Sequence, residues 1–360
     1  METNNTIFSC TNNVQVNQEK TEREQKEKFS YSKLSVFDKC PYQFKLKYED
    51  KNFSSASSLA LEIGTIAHKC MELVALDIMA GKKPDYQDIM AIFMDGYDIE
   101  EPSDEGKDKG LTHIPGADEL KMKYAFQWIE EDTKSGLTYP EKIRNFFNHL
   151  TSIENDTVWK PIAVELPFSF EFEGNTISGF IDRVDINKDG DYRVVDYKTS
   201  KAVYLEKDVK TAMQMVIYDF AIKNIFGKAP IEHLYDFVFI NKTQYACYKG
   251  YEKRGEAKLE KWFSGISQSR DDGNYKPNPS PLCHWCDFCE HNASAEEELK
   301  HLCPYYSLWT PSNKVYKVNK PYVQVVKNNS DFISEKPAKK VKVEVQRMTK
   351  PAPNVEDFWF

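Results

Sequence analysis

Asp182, Asp196 and Lys198 are the residues in this chain whose types and spacing could do chemistry. They fall within GFIDRVDINKDGDYRVVDYKTSK, residues 179–201. There Phe180, Val184 and Ile186 alternate with polar residues, Asn187-Lys188-Asp189-Gly190 carries turn chemistry, and Val194-Val195 begins a second apolar run. The pattern predicts two strands joined as a hairpin. Asp196 and Lys198, two residues apart, share one face of a strand, and the hairpin brings Asp182 alongside. Clustered carboxylates repel and lose hydration, so two acids and an amine make poor core. A divalent cation between the acids makes the arrangement sensible. An Asp-Lys salt bridge on a solvated strand is the plainer reading.

The elements that must position this hairpin follow from the apolar periodicity. Residues 1–28 are rich in Asn, Gln, Glu and Lys with few apolar anchors and are expected to form a disordered leader. Order is expected from about Tyr31, with Ser32 capping a first helix and Pro41 opening a second that carries Phe44 and Tyr48 on one side. LALEIGTIAHKCMELVALDIMAG predicts a long helix ending at Gly81, with His68 in its middle. Taken alone, His68 reads as a core histidine. Residues 85–150 are expected to be a helical insertion broken by the acidic loop from Glu100 to Gly116. Strand alternation resumes from Val164 to Phe172, with Glu165 interrupting it. After the hairpin, VKTAMQMVIYDFAIKNIFG predicts a helix ending near Gly227, with Gln214 and Tyr218 one turn apart on one face. LYDFVFINK predicts another strand, and 253–269 a further helix.

Composition bounds the class. The chain has 360 residues, of which 41% are hydrophobic and 13% aromatic, enough for a sizeable core. No apolar run approaches the roughly 20 residues that span a bilayer, and METNNTIFSCTNNVQ lacks the features of a secretion signal. A cytoplasmic location without membrane partners is expected. The formal charge of -8 argues against a uniformly basic surface, while leaving room for a local cationic groove. In a reducing compartment, Cys283, Cys286 and Cys289 of CHWCDFC point to metal ligation rather than to disulfides.

Five separated elements then agree. GTIAH with His68, the strand acid Glu165, GFIDRVD with Asp182, VVDYKTSK with Asp196 and Lys198, and QMVIY with Gln214 and Tyr218 resemble, in order and approximate spacing, the RecB-type nucleases of the PD-(D/E)xK superfamily. The resemblance covers Tyr31 to about Cys289. It implies an α/β core, a mixed central sheet flanked by helices, carrying out metal-dependent hydrolysis of DNA. The expected action is exonucleolytic, in replication, recombination or repair, within a bacterial or phage-infected host cytoplasm. By that analogy His68, Asp182, Asp196 and the Tyr197 backbone carbonyl hold Mg2+ or Mn2+. Lys198 sits beside the attacking water, and Gln214 and Tyr218 hold DNA phosphates or orient Lys198. Glu165 is either a further metal contact or a structural strand residue. A catalytically silent DNA-binding or assembly module with the same fold is the competing class, against which the intact Asp182, Asp196 and Lys198 argue. A zinc-clasped RNA-processing factor is weaker, because no aromatic RNA-binding motif occurs.

Some members of that group, AddB and the CRISPR adaptation nucleases among them, carry a [4Fe-4S] cluster held by one cysteine before the core and three after it. Cys40, in CPYQFKLKY, matches the first, and Cys283 and Cys286 match the start of the second group. The usual last position is occupied here by Asn292, so Cys289 or, as the alternative, Cys303 must complete the set. Fe-S, zinc and no metal all stay open. Cys10, Cys70 and Cys247 read as ordinary thiols. The nuclease domain is expected over residues 29–310, with a Cys-rich clasp at 283–303. In the tail, 311–360, a Lys-rich stretch precedes PNVEDFWF. That tip resembles the docking tips of single-stranded DNA-binding proteins, a frayed end being the simpler reading. No P-loop motif occurs, so any helicase motor is a separate partner.

Overall fold

Two successive hairpins place the acids. The computed structural model describes residues 27–100, 111–246, 251–290, 292 and 295–305. In chain order it contains β1 (Lys28–Phe29), α1 (Tyr31–Lys39), α2 (Pro41–Phe44) continued by a π turn over Lys45–Glu49, and α3 (Leu59–Met79). The segment expected as an insertion holds α4 (Tyr86–Asp95), β2 (Gly96–Glu100), β3 (Leu111–Pro115), α5 (Ala117–Lys123), α6 (Ala125–Ser135) and α7 (Tyr139–Asn155). The sheet strands β4 (Lys160–Phe172), β5 (Asn175–Ile186) and β6 (Tyr192–Lys198) follow. After them come α8 (Glu206–Val209), α9 (Met213–Phe226), β7 (Glu232–Phe237), β8 (Lys242–Tyr245), α10 (Glu252–Asp272), a 3-10 turn at Pro281–Trp285, and α11 (Glu297–Lys300).

The main sheet is mixed, as expected, in the order β1-β5-β6-β7-β8 with β4 on the other side of β5. β4, β5 and β6 are antiparallel neighbours, whereas β6 and β7 run parallel, joined by a crossover that carries α9. β1 pairs with β5 at Thr176 and Ile177, and β6 pairs with it from Arg183 to Ile186. Asp182 lies in the interval between those partners. Helices cover both faces. One core joins Leu34 and Phe37 of α1, Val194 of β6, Met215 and Ile217 of α9 and Trp262 of α10. The other joins Ile66 and Val74 of α3, Phe93, Phe146 and Leu150 of the insertion, and Val195 and Tyr197 of β6. Each such side chain, fully buried, contributes about 1.5–3 kcal/mol.

Several local expectations are amended. Ordered backbone starts before Tyr31, because Lys28 and Phe29 gain a ladder partner and Phe29 is buried. The cap of α1 is Ser30 rather than Ser32: Ser30 has extended backbone, and its hydroxyl accepts the Lys33 amide at 3.1 Å. The insertion is not purely helical, since β2 and β3 form an antiparallel hairpin that includes His113. Gly96 makes it feasible, with φ +85 and the Ile114 carbonyl 2.3 Å from where a Cβ would stand. His113 pins the hairpin between Asp98 and Glu119, at 2.8 Å from each. The leader up to residue 26 and the tail from 306 lie outside the described residues.

On the α3 side of the hairpin, Arg183 and Arg193 converge on Asp185. Arg183 Nε donates to Asp185 Oδ1 at 2.8 Å and Arg193 Nε to Oδ2 at 2.8 Å, while Arg183 also reaches the Tyr197 hydroxyl at 2.6 Å. Arg193 extends the network to Asp156, at 2.9 Å. All three network residues of the hairpin are buried, so removing the shared carboxylate takes the ion-pair partner from the Arg183 guanidinium and leaves Arg193 with Asp156 alone. Asp185→Ala is therefore expected to destabilise the fold by about 3–5 kcal/mol, read from a urea midpoint at constant slope.

Candidate active site

The register of the hairpin sets the geometry. One step beyond the last paired residues, Arg183 and Val195, Asp182 and Asp196 face each other where β5 and β6 separate. Lys198 lies on the Asp196 face, and its ammonium forms an ion pair with Asp196 Oδ2. The other oxygen, Oδ1, accepts from Gln214 Nε2 at 2.8 Å and from the Tyr218 hydroxyl at 3.2 Å. Gln214 also donates to the Tyr218 oxygen at 2.9 Å. α9 is apolar on nearly every side, so a glutamine there needs a buried acceptor, and Asp196 is it. The helix pair expected to touch phosphates or Lys198 thus spends its hydrogen bonds on Asp196.

From the other side of the sheet, His68 of α3 points Nδ1 at Asp182 Oδ2, 3.6 Å away. Its ring stands edge-on to Tyr197 and is held by the Tyr197 backbone carbonyl, while the Tyr197 amide donates to Asp182 Oδ2 at 2.7 Å. Glu165 comes from β4, directly across from Asp182. Its φ of +42 is a left-handed conformation that a glutamate adopts at a cost. The strained backbone turns its carboxylate inward: ligand atoms of His68, Glu165 and Asp182 all lie within 4.8 Å of one another, the group of three or more metal-ligating side chains found among the described residues.

Electrostatics agree with that donor set. Burial, and next the charge of Asp196, push the Asp182 carboxyl well above the usual carboxylate range. Burial likewise raises Glu165, with Glu72 adding to it, and lowers His68, which keeps the imidazole neutral and able to ligate. Burial works against the Lys198 ammonium, but Asp196 outweighs it and the pKa rises, so Lys198 stays charged. Asp196 Oδ2 is buried and receives no aligned hydrogen bond, only the ion pair. An imidazole nitrogen and clustered, under-compensated carboxylates fit a hard divalent cation of the Mg2+ or Mn2+ type.

Over residues 28–291 the chain matches the model of the PD-(D/E)XK nuclease superfamily. It belongs to that superfamily. The Gene 69 protein of Mycobacterium phage L5 is 24% identical over 301 residues, covering 74% of this chain and 94% of the phage protein. A solved Eubacterium rectale protein, provisionally described as an exonuclease, superposes with a TM-score of 0.39 at 12% identity, over 80% of this chain and 94% of that one. Among the described residues no helix is long and apolar enough to cross a membrane.

The PD-(D/E)XK site also has neighbours that sequence reasoning missed. Glu72 follows His68 by one helical turn, pairs with Lys69 at 3.0 Å and acts on Glu165. The i, i+4 spacing from His68 was the signal for it. Tyr31, Tyr204 and Tyr235 surround Lys198, whose ammonium is 5.5 Å from the Tyr235 ring centre. No periodicity marks those three, because they come from a helix start, a loop and a neighbouring strand.

Four cysteines gather where the start of the nuclease domain meets its C-terminal turn. Cys40, between α1 and α2, lines a cavity of about 50 Å3 together with Cys283, Cys286 and Cys303, while Cys289 is buried outside that lining. Backbone amides of Asn278 and Ser280 approach the sulfurs of Cys40 and Cys283, each at 3.4 Å. Burial pushes the Cys286 thiol up to about 12, with Cys303, Cys283 and Cys40 adding to the rise. Such thiols become thiolates only when a metal compensates them. The cavity exceeds severalfold the roughly 10–15 Å3 of one water-sized sphere. Cys70 is buried, with its thiol also raised to about 12 by burial, consistent with an ordinary thiol. Cys10 and Cys247 lie outside the described residues.

Asp182 carries a charge that burial opposes. Its folded carboxyl keeps a proton to higher pH than the unfolded one, so stability falls as pH rises from the unfolded value, about 3.9, through the raised folded value. Asp182→Asn should therefore raise the melting temperature of cation-free protein. The gain should be largest at pH 8 and absent near pH 3, where the wild-type carboxyl is neutral in both states.

Proposed function

We propose that this chain is a metal-dependent deoxyribonuclease that cuts DNA exonucleolytically, in replication, recombination or repair. The observation that carries the reading is the convergence of Asp182, Asp196, Lys198, Glu165 and His68 at one opening of the sheet, matching the motif order of RecB-type nucleases. Asp182, Asp196, Glu165 and His68 would hold Mg2+ or Mn2+, with the Tyr197 carbonyl beside His68. Such a cation lowers the pKa of bound water and neutralises charge on the phosphate. Lys198, held in place by Asp196, sets a fixed positive charge where the pentavalent phosphorus gathers negative charge. Gln214 and Tyr218 fix the orientation of Asp196, and their buried hydrogen bonds keep water from competing for it. A silent DNA-binding module gains nothing from burying two acids beside an intact lysine, at the desolvation cost this requires. A separate helicase, or a single-stranded DNA-binding protein docked on the tail, is a fitting partner for such an exonuclease.

Loss of one well-placed electrostatic group commonly costs about 100- to 1000-fold in rate. End-labelled linear DNA with Mg2+ or Mn2+ should be degraded, and EDTA should stop it. Lys198→Ala should lose about 100- to 1000-fold in rate when assayed well below its melting temperature, which loss of the buried Asp196 partner is expected to lower. Comparable rates for the variant and the wild type would remove Lys198 from the chemistry. Degradation of closed circular DNA at the linear rate would replace exonuclease with endonuclease.

We further propose that Cys40, Cys283, Cys286 and Cys303 hold a [4Fe-4S] cluster that ties the two ends of the domain together. Closing so long a loop stabilises by several kcal/mol, on the order of a long covalent crosslink. Protein purified without oxygen should contain iron. Cys40→Ser and Cys303→Ser should lose it and melt earlier, whereas Cys289→Ser should retain it. Zinc without iron would replace the cluster by a zinc clasp, and iron lost only from Cys289→Ser would restore Cys289 as the fourth ligand.

A further inference from the structure

Lys198 shares its face of the sheet with aromatic rings. Tyr235 lies opposite Asp196, and Phe237 opposite Lys198, where β6 and β7 run parallel, so these four side chains project to one side. The Lys198 ammonium stands 5.5 Å from the Tyr235 ring centre, and the Tyr204 ring meets that same ring edge-on at 5.0 Å. Tyr204 also packs edge-on against Phe237, at 5.3 Å. A loop residue six positions beyond Lys198 is thereby folded back beside it.

The loop has no strand partner at Tyr204, and one side chain takes that place. Gln244 of β8 sits opposite Tyr235 in the ladder. Its Oε1 accepts the Tyr204 amide at 3.1 Å and its Nε2 donates to the Tyr204 carbonyl at 2.9 Å. Two bonds to one residue fix that residue's backbone, and with the two ring contacts they fix the phenol. The phenol so held has no partner of its own. Among the described residues both hydrogen bonds of Tyr204 are made by its backbone, whereas the Tyr218 hydroxyl, also beside Asp196, has two. Tyr204 is 38% exposed, open to an incoming group. Burial raises its pKa against the opposing charge of Lys198, so the oxygen keeps its proton at neutral pH and is a donor. A spare donor next to a fixed ammonium suits an anionic oxygen.

We propose that the Tyr204 hydroxyl donates to a non-bridging oxygen of the scissile phosphate, next to Lys198, and that Gln244 is the positioning residue that holds it there. The proposal rests on the nuclease reading for the phosphodiester. It adds a substrate contact made by neither the metal-ligating residues nor Gln214 and Tyr218, whose hydrogen bonds go to Asp196. Lys198 supplies charge and Tyr204 supplies direction, and the bond strengthens as charge gathers on that oxygen.

The test compares, for the full chain, single-turnover cleavage of end-labelled DNA in Mg2+ with binding of a fluorescein-labelled oligodeoxynucleotide in EDTA. Tyr204→Phe keeps the ring on Tyr235 and Phe237, so its melting temperature should equal that of the wild type. Its cleavage rate should fall about 10- to 150-fold, as for a lost hydrogen bond to a charged group, and its affinity about 2- to 12-fold, as for an ordinary one. Tyr31, half-buried at the start of α1, also lies in the field of Lys198. Tyr31→Phe should lose less in both readouts; equal losses would place the effect on Lys198 rather than on the substrate and overturn the contact. Gln244→Ala should slow cleavage in the wild type but cost nothing further in Tyr204→Phe, because it acts through that hydroxyl. Additive losses overturn the positioning role. If the wild type cuts and Tyr204→Phe matches it in rate and affinity, the contact fails and the nuclease reading stands. If the wild type cuts nothing, yet Tyr204→Phe binds more weakly and Tyr31→Phe does not, the nuclease reading fails and the phosphate contact stands. A wild type that neither binds nor cuts overturns both.

Discussion

The repulsion between Asp182 and Asp196, held face to face where two strands part, is the constraint on which the rest of this structure depends. Neither acid is comfortable there. Asp196 is offset by the Lys198 ammonium, the Gln214 amide and the Tyr218 hydroxyl. Asp182 has the Tyr197 amide, a more distant His68 and the field of Lys198, yet its pKa is driven upward by burial and by Asp196. The asymmetry is chemically useful: one carboxylate is fixed in place, and the other is under-compensated and open to a cation.

Holding like charges together requires a rigid frame, and the fold supplies it from the opposite face of the same hairpin. Arg183, Asp185 and Arg193 alternate with the catalytic positions along β5 and β6, so each strand presents chemistry on one side and an ion network on the other. Tyr197 links the two sides, its hydroxyl on Arg183 and its backbone on Asp182 and His68. The helices then close the site from both faces, α3 bringing His68 and α9 bringing Gln214 and Tyr218. The insertion packs Phe93, Phe146 and Leu150 under α3 and so fixes the helix that carries His68.

The cysteine cavity stands apart from the catalytic opening and joins the helices that begin the domain to the turn at Pro281–Trp285 that ends it.

How much of this was legible beforehand divides along a physical line. Periodicity and turn residues determined the hairpin of Asp182 and Asp196, the length of α3 and the end of α9 at Gly227, because these depend on neighbours in sequence. The shared face of Asp196 and Lys198 was likewise dictated by the two-residue period of a strand. What distant chain segments do to one another was not readable. That Gln214 and Tyr218 bond Asp196 depends on where the crossover drops α9 onto the sheet. The inward turn of Glu165 depends on a left-handed residue that no composition rule foretells. The β2-β3 hairpin inside the insertion formed because Gly96 permits a close approach that its sequence neighbours do not reveal. The choice between Cys289 and Cys303 was equally closed to spacing rules. Cys303 lines the cavity with Cys40, Cys283 and Cys286 while the buried Cys289 does not, and that set follows from how the chain folds back after Phe288, which packs against Leu46. Local chemistry is written in residue order, whereas the partners of a charged or thiol group are set by packing between segments far apart in the chain.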